Sequence, residues 1–157
     1  MGKYLQKRLL TEKFDSVAHE TILNIWVTAA HLRAQFDEVF DDADLTLTQY
    51  NVLRILNGAY PDGYCRADLT RRMLDRAPDL TRLIDRLVKR GLVQRVRSEK
   101  DGRQSVARIT PRGRHLLGLM HAKVRGAERG IQQRLSEAEL LELSRLCEKI
   151  YGAEPED

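Results

Sequence analysis

The hydrophobic period of this sequence changes abruptly near its middle, and that change constrains the fold more than any other feature. Apolar residues three and four positions apart predict two short helices, from about Arg66 to Leu74 and from about Pro78 to Arg90. The residues that follow alternate instead, in Leu92 to Ser98 and in Ser105 to Thr110, with an Asp-Gly pair between the two runs. An Asp-Gly pair between alternating runs is typical of a β-hairpin. The sequence therefore predicts a helix-turn-helix followed directly by a hairpin, which is the arrangement of a winged helix.

Longer helices are predicted on both sides of this unit. Before it, a helical stripe runs from about Asp15 to Phe40, and Thr48 is the predicted N-cap of a second helix. After it, Thr110-Pro111 starts a helix, and Ser136 with Glu139 forms a capping box for the last one. We expect a mainly α fold with a small β-hairpin wing, a winged helix-turn-helix with N- and C-terminal dimerisation helices.

Apolar residues outside the winged unit predict a homodimer, because a partner subunit would bury them. They form one seam at Leu140–Ile150 and another at Tyr4, Leu5, Leu9 and Leu10. The expected division is a helical dimerisation region, 1–44 and 111–157, around a winged helix-turn-helix DNA-binding domain, 45–110.

Basic residues are concentrated in the winged unit. Between Arg66 and Arg114 the chain has 15 Lys and Arg against 6 Asp and Glu, a net charge of +9, whereas the rest has a net charge of −5. A basic segment between acidic ends is expected where one part of a fold meets a polyanion. A solvated surface with chance clustering is the alternative, since the segment is also rich in Asp.

Length and residue types argue against several classes of protein. The 157 residues suffice for a hydrophobic core, and 42% hydrophobic with 32% charged residues is typical of a folded chain. No apolar stretch reaches 18 residues, so we expect a soluble, cytoplasmic protein without membrane contact. Two lone cysteines cannot form a four-cysteine zinc site, and the sequence contains no Gly-rich phosphate loop, H-E-x-x-H or G-x-S-x-G motif. We therefore expect no metal, no cofactor and no enzymatic activity.

The sequence resembles the MarR-type winged-helix transcription regulators. Asp101-Gly102-Arg103, followed by Ile109-Thr110-Pro111-Arg112-Gly113, matches that family's wing signature D-x-R…[LI]-T-x-x-G. Thr81 to Arg95 resembles the family's recognition helix and its entry into the wing. The resemblance is strong from Leu69 to Gly113, and over Ala18 to Ile150 it concerns the architecture.

This resemblance implies a homodimer that binds double-stranded DNA at a pseudo-palindromic operator. The recognition helix, 78–90, would enter the major groove and the wing, 98–105, the minor groove. The resemblance also implies a repressor that a small aromatic or phenolic effector releases from DNA. Two departures from the family pattern bear on base preference: Leu74 stands where glycine is usual, and Pro78 and Asp79 stand where Ser or Thr is common.

The candidate DNA-contacting residues divide into base readers and phosphate ligands. An arginine on a recognition helix can read guanine or grip phosphate, and Arg103 at the hairpin tip suits a narrow minor groove. Asp101 would orient Arg103 or begin the turn, and Asp79 would accept from a cytosine or stabilise the helix N-terminus. The complete set is Pro78, Asp79, Thr81, Arg82, Arg86, Arg71, Arg72, Arg95, Arg97, Lys100, Asp101 and Arg103.

Other interpretations of single residues remain open. Arg82 and Arg86 could instead form solvated ion pairs with nearby aspartates. Trp26, His31 and Phe36 could line an effector pocket or belong to an ordinary apolar face. Two further hypotheses are a winged-helix protein-interaction module without DNA binding, and a thiol-based redox-sensing regulator that uses Cys65.

Overall fold

The computed structural model describes residues 2–74, 79–97 and 105–152. Within these ranges the chain forms seven helices and three strands, and the mainly α winged-helix fold that the sequence predicts is confirmed. In chain order the elements are α1 (Lys3–Leu9), α2 (Val17–Asp41), α3 (Leu47–Gly58), β1 (Tyr64–Cys65), α4 (Arg66–Arg72), α5 (Leu80–Lys89), β2 (Val93–Arg97), β3 (Ser105–Ile109), α6 (Pro111–Gln132) and α7 (Glu137–Tyr151).

The hydrophobic core lies inside the winged unit. Leu53 of α3, Leu69 of α4 and Leu87 of α5 are fully buried together. Phe40 at the end of α2 and Met120 in α6 join the same cluster, so two outer helices are anchored on the winged unit. Burial of each such side chain stabilises the fold by roughly 1.5–3 kcal/mol. Because one side of α5 is held in the core in this way, its opposite side faces solvent.

The strands form one antiparallel sheet in the order β1-β3-β2. Strands β2 and β3 make the predicted hairpin, with Arg95 opposite Ala107 and Arg97 opposite Ser105. The sequence does not predict β1, because its two residues are too few to show an alternating pattern. The predicted hairpin tip, 98–104, lies outside the described residues.

Helix caps agree with the sequence at three of four positions. Thr110 accepts from the Gly113 amide ahead of Pro111, and Ser136 with Glu139 forms the predicted capping box. Gly91 has the left-handed φ of 68° expected of the residue that ends α5. The prediction of Thr48 as an N-cap is wrong, because Thr46 is the N-cap of α3. Its extended backbone lets its hydroxyl accept from the Gln49 backbone amide, and the Gln49 side chain in turn accepts from the Thr46 backbone amide.

Helix and strand bounds differ slightly from the predicted ones. Helix α4 ends at Arg72 rather than Leu74, because Met73 has an extended backbone. Helix α5 begins at Leu80, with Asp79 as its N-cap, and Pro78 lies outside the described residues. Strands β2 and β3 are one or two residues shorter than predicted.

The outer helices expose much of their apolar surface in the single chain. The predicted stripe on α2 is not core over most of its length, since Ile22 is 46% exposed and Trp26 is 66% exposed. Helix α7 has no buried residue, and Ile150 is 64% exposed. Leu5 differs from the other residues of the predicted N-terminal seam, because it is already buried within the single chain. It lies near the Gly2 amide, which donates to the Glu20 carboxylate at 2.6 Å. Among the described helices, none is both long and apolar enough to cross a membrane.

Candidate nucleic-acid interface

Helix α5 presents a polar, basic face to solvent. Its apolar side chains at Leu80, Leu83, Ile84 and Leu87 are buried in the core. The 3.6-residue period therefore points Thr81, Arg82 and Arg86 outward, and all three are exposed. Lys89 lies on the same face one turn later and is also exposed. The structure thus places the three predicted recognition residues of α5 together.

The first turn of α5 is held by Asp79. Its carboxylate accepts from the Arg82 amide at 3.2 Å and lies 3.1 Å from the Arg82 Nε. Asp79 therefore acts as the N-cap of α5. It also forms an ion pair with Arg82, which is the alternative that the sequence left open for this arginine. The Arg82 side chain remains 84% exposed, so the pair leaves its guanidinium within reach of an approaching anion.

Strand β2 lies beside α5 and brings two predicted arginines to it. The Arg95 Nη2 lies 2.9 Å from the Asp85 carboxylate of α5, with both side chains about half exposed. Arg97 follows two residues later on the same face of the strand and is exposed. It has no ion pair with any other described residue, and the same holds for Arg86.

Helix α4 presents Arg71 and Arg72 at the surface, and both lie near Asp68. Arg71 donates to the Asp68 carboxylate at 2.8 Å, and Arg72 lies 3.7 Å from it with its guanidinium over the Tyr64 ring. The Cys65 thiol also donates to this carboxylate at 3.1 Å. Hydrogen bonds from Cys65 and Arg71 hold the pKa of Asp68 below its usual value. The carboxylate therefore stays ionised and restrains both arginines.

Four predicted site residues cannot be placed in this interface. Pro78, Lys100, Asp101 and Arg103 lie outside the described residues. The interface is therefore built here from α4, α5 and β2 alone.

Arg90, at the end of α5, joins the winged unit to the outer helices. Its Nη2 donates to the Ala43 carbonyl at 2.8 Å, and its Nη1 donates to the Asp44 carbonyl. Both acceptors lie in the short connection between α2 and α3. Sequence reasoning missed this contact, because nothing local indicates a bond across more than forty residues.

A cleft of 680 Å³ lies between α3 and α6, away from the α5 face. Its polar lining includes Arg54, Arg114, His115, His121 and the Glu128 carboxylate, and its apolar or aromatic lining includes Tyr50, Leu117 and Val124. Arg114 is held in place by a bond to Asn57 at 3.2 Å and by stacking over the Tyr60 ring. Two arginines against one carboxylate over an apolar floor favour a small organic anion.

The predicted effector residues do not line this cleft. Trp26 and His31 are exposed on α2, and Phe36 is stacked on Phe40 against the core. The sequence signal for the cleft is weak, since its basic residues are spread over two helices distant in sequence. Within the described part of the chain, no group of three His, Cys, Asp or Glu residues is placed to hold a metal.

Comparisons with known proteins identify the relatives of this chain. The model of the MarR family matches residues 45–105. An HTH-type transcriptional repressor of Mycobacterium tuberculosis is 29% identical over 126 residues, which cover 80% of this chain and 89% of the repressor. The crystal structure of a MarR transcription factor from Planctomyces limnophilus is 38% identical, with a TM-score of 0.67, and covers 87% of this chain and 98% of that one.

More distant structures share the fold. The transcriptional repressor CouR bound to a 23-mer DNA duplex is 22% identical, with a TM-score of 0.72, over 82% of this chain and 89% of that one. CouR from Rhodococcus jostii bound to p-coumaroyl-CoA is 18% identical, with a TM-score of 0.76, over 92% of this chain and all of that one. The 38% identity along nearly the whole Planctomyces factor is the stronger finding. The chain belongs to the MarR family and is a DNA-binding transcription regulator rather than an enzyme.

Proposed function

We propose that the chain is a repressor that binds a specific double-stranded DNA sequence and leaves it when a small-molecule effector binds. The observation that carries the proposal is the exposed face of α5, on which Arg82, Arg86 and Lys89 lie together. That face has no apolar side chain among its exposed residues, which favours DNA over a protein partner. The recognition helix, 78–90, enters the major groove, and the wing, 98–105, enters the minor groove.

Each residue of the interface has a proposed role. Arg86 reads a guanine, because its guanidinium has no competing carboxylate among the described residues and a bidentate pair with O6 and N7 suits it. Arg82 and Thr81 contact neighbouring base edges, with Asp79 fixing the first turn. The phosphate ligands are Arg71, Arg72, Arg95, Arg97 and Lys100. In the wing, Arg103 enters the minor groove and Asp101 orients it.

The proposed repressor acts as a homodimer. Apolar side chains of the outer helices are exposed in the single chain, including Trp26 of α2 and Ile150 of α7. A second copy would bury them, so we assign 1–44 and 111–157 to dimerisation and 45–110 to DNA binding. Two-fold symmetry then predicts a pseudo-palindromic operator with half-sites about 34 Å apart. We place the protein in the cytoplasm, with the DNA that it regulates.

The proposed effector is a small aromatic or phenolic anion that binds in the cleft between α3 and α6. Arg54 and Arg114 supply positive charge against the one carboxylate of Glu128, and Tyr50 supplies an aromatic wall. CouR, which shares this fold, binds p-coumaroyl-CoA. Because α3 belongs to the winged unit and α6 to the outer helices, a ligand between them would change how the two parts are held.

The experiment begins with selection of bound sequences from a genomic DNA pool, followed by fluorescence anisotropy on the selected operator. We expect Arg86→Ala to weaken operator binding by about 1–3 kcal/mol and to relax preference at one or two bases. Arg134→Ala is the matched control, since it removes the same charge from an exposed site after α6. Equal operator affinity of the two variants would contradict the proposed role of α5.

A further inference from the structure

We propose that Asp85 is a specificity-determining residue, whose carboxylate neutralises Arg95 and so weakens binding to DNA without the operator sequence. The proposal rests on the DNA-binding function proposed above. Asp85 lies on the recognition face, but its negative charge opposes contact with phosphate.

The geometry places Asp85 in the middle of the face that would meet DNA. It lies one turn after Thr81 and one turn before Lys89 on α5. The Arg95 Nη2 lies 2.9 Å from the Asp85 Oδ1 and 3.5 Å from the Thr81 carbonyl oxygen. The side chains of Arg95 and Asp85 are 41% and 46% exposed. The pair therefore bridges α5 and β2 at the surface, where an approaching phosphate can compete for it.

Arg97 offers a comparison with Arg95, because it has no such partner among the described residues. The two arginines lie two residues apart on β2, so both side chains leave the same face of the strand. Arg97 has no ion pair with any other described residue, and a phosphate can bind it directly. Binding of a phosphate by Arg95 competes with its pairing to Asp85, whose own charge repels the phosphate.

The cost of this exchange differs between the two kinds of DNA. Binding to non-specific DNA is supplied almost entirely by phosphate contacts, so a neutralised arginine there is a direct loss. Base contacts from Arg86 and its neighbours add the same free energy with or without the Arg95–Asp85 pair, so they do not change the effect of the pair. On the operator, however, the Asp85 carboxylate can accept a hydrogen bond from a cytosine N4, which offsets the loss there and which random sequence provides only by chance. Asp85 therefore lowers non-specific affinity more than operator affinity and raises the ratio between them.

The test is Asp85→Asn, which removes the charge and keeps the shape of the side chain. We expect binding to random-sequence duplex to tighten by about two- to fivefold, which is the strength of an exposed ion pair. The slope of log affinity against log salt should steepen by about 0.9, because one more phosphate is neutralised. Operator affinity should change less, so the ratio of operator to random affinity should fall.

Two further variants test whether the effect of Asp85 is specific to its pair with Arg95. They distinguish it from a general effect of removing a negative charge and from a purely structural role of the ion pair. Asp37→Asn removes an exposed carboxylate from α2 and should leave both affinities unchanged. In an Arg95→Ala background, Asp85→Asn should no longer steepen the salt slope, because the arginine that gains the phosphate is absent.

Other results would overturn the proposal. If the pair only braces β2 against α5, Asp85→Asn would lower the unfolding midpoint and weaken both kinds of DNA equally, with an unchanged slope. Unchanged affinity for random duplex would refute the proposal as well. Failure of the wild type to select any sequence from the genomic pool would instead refute the proposed operator recognition, so the two failures are distinguishable.

Discussion

Gly113 lies where helix α6 starts against the entry to the wing, and replacing it by alanine tests why the sequence has glycine there. A Cβ at this position would lie 2.2 Å from the Leu92 carbonyl oxygen and 2.8 Å from the Ile109 Cγ1. The Leu92 oxygen already accepts from the Thr110 amide at 3.0 Å. Relief of the contact therefore requires α6 to move away from the strand and to weaken that bond.

The expected cost follows from these contacts. Overpacking of a filled site costs about 1–3 kcal/mol, and loss of a backbone hydrogen bond adds about 1 kcal/mol. Alanine returns at most about 1 kcal/mol of helix propensity. We expect Gly113→Ala to lower the free energy of unfolding by about 2 kcal/mol, a large fraction of the roughly 5–15 kcal/mol that is typical of a domain.

The same helix offers a matched control. A Cβ at Gly118 would have no atom within 4 Å, so Gly118→Ala should raise the free energy of unfolding by up to about 1 kcal/mol. The assay is urea unfolding followed by circular dichroism, at one fixed protein concentration because association would shift the midpoint. Equal stability of the two variants would refute the steric reasoning and leave the glycine of the T-x-x-G motif without a packing role.

Two further predictions concern the partner subunit and the effector. Ile150→Asp should dissociate the proposed homodimer at micromolar concentration in sedimentation velocity, whereas Lys149→Asp on the same helix should not; a monomeric wild type would contradict the prediction. Arg114→Ala should weaken binding of an aromatic carboxylate such as salicylate by about tenfold or more, because a charge-assisted hydrogen bond is lost. Calorimetry measures this affinity. Arg134→Ala is its control, and equal ligand affinity of the two variants would place the effector outside the cleft.

Local features of this fold could be predicted from sequence because their causes lie within a few residues. The Ser136 capping box and the left-handed Gly91 depend on neighbours three or four positions away. The prediction of Thr48 as the N-cap of α3 is wrong, although a local signal for Thr46 exists. Thr46 and Gln49 have the spacing of a capping box, which Thr48 and Asn51 do not form. That spacing distinguishes the two candidates, whereas both precede the apolar residues.

Other features depend on contacts that no local pattern contains. The period of α2 correctly predicts a helix, but the period does not say what covers its apolar stripe. In the single chain Trp26 is exposed, whereas Phe40 of the same helix is buried. The Arg90 bond to Ala43 and the pairing of β1 with β3 likewise join segments distant in sequence. The Arg90 bond helps to hold the winged unit to the outer helices, whereas the pairing of β1 with β3 lies within the winged unit.

The largest difference between sequence and structure concerns charge. The net charge of +9 between Arg66 and Arg114 suggests many phosphate ligands, yet most of the placed arginines already have partners. Carboxylates hold Arg71, Arg72, Arg82 and Arg95, and oxygen atoms of carbonyl or amide groups hold Arg90, Arg108 and Arg114.

Arg86, Lys89 and Arg97 differ from these, because their side chains have neither a hydrogen bond nor an ion pair with another described residue. They lie on α5 and β2, the elements that the winged-helix arrangement brings to DNA. Salt dependence of binding counts phosphates neutralised, not basic residues present. We therefore expect the described part of the interface to neutralise fewer phosphates than its number of basic residues suggests. The aspartates that pair with the other arginines are thus as much a part of its recognition chemistry as the arginines.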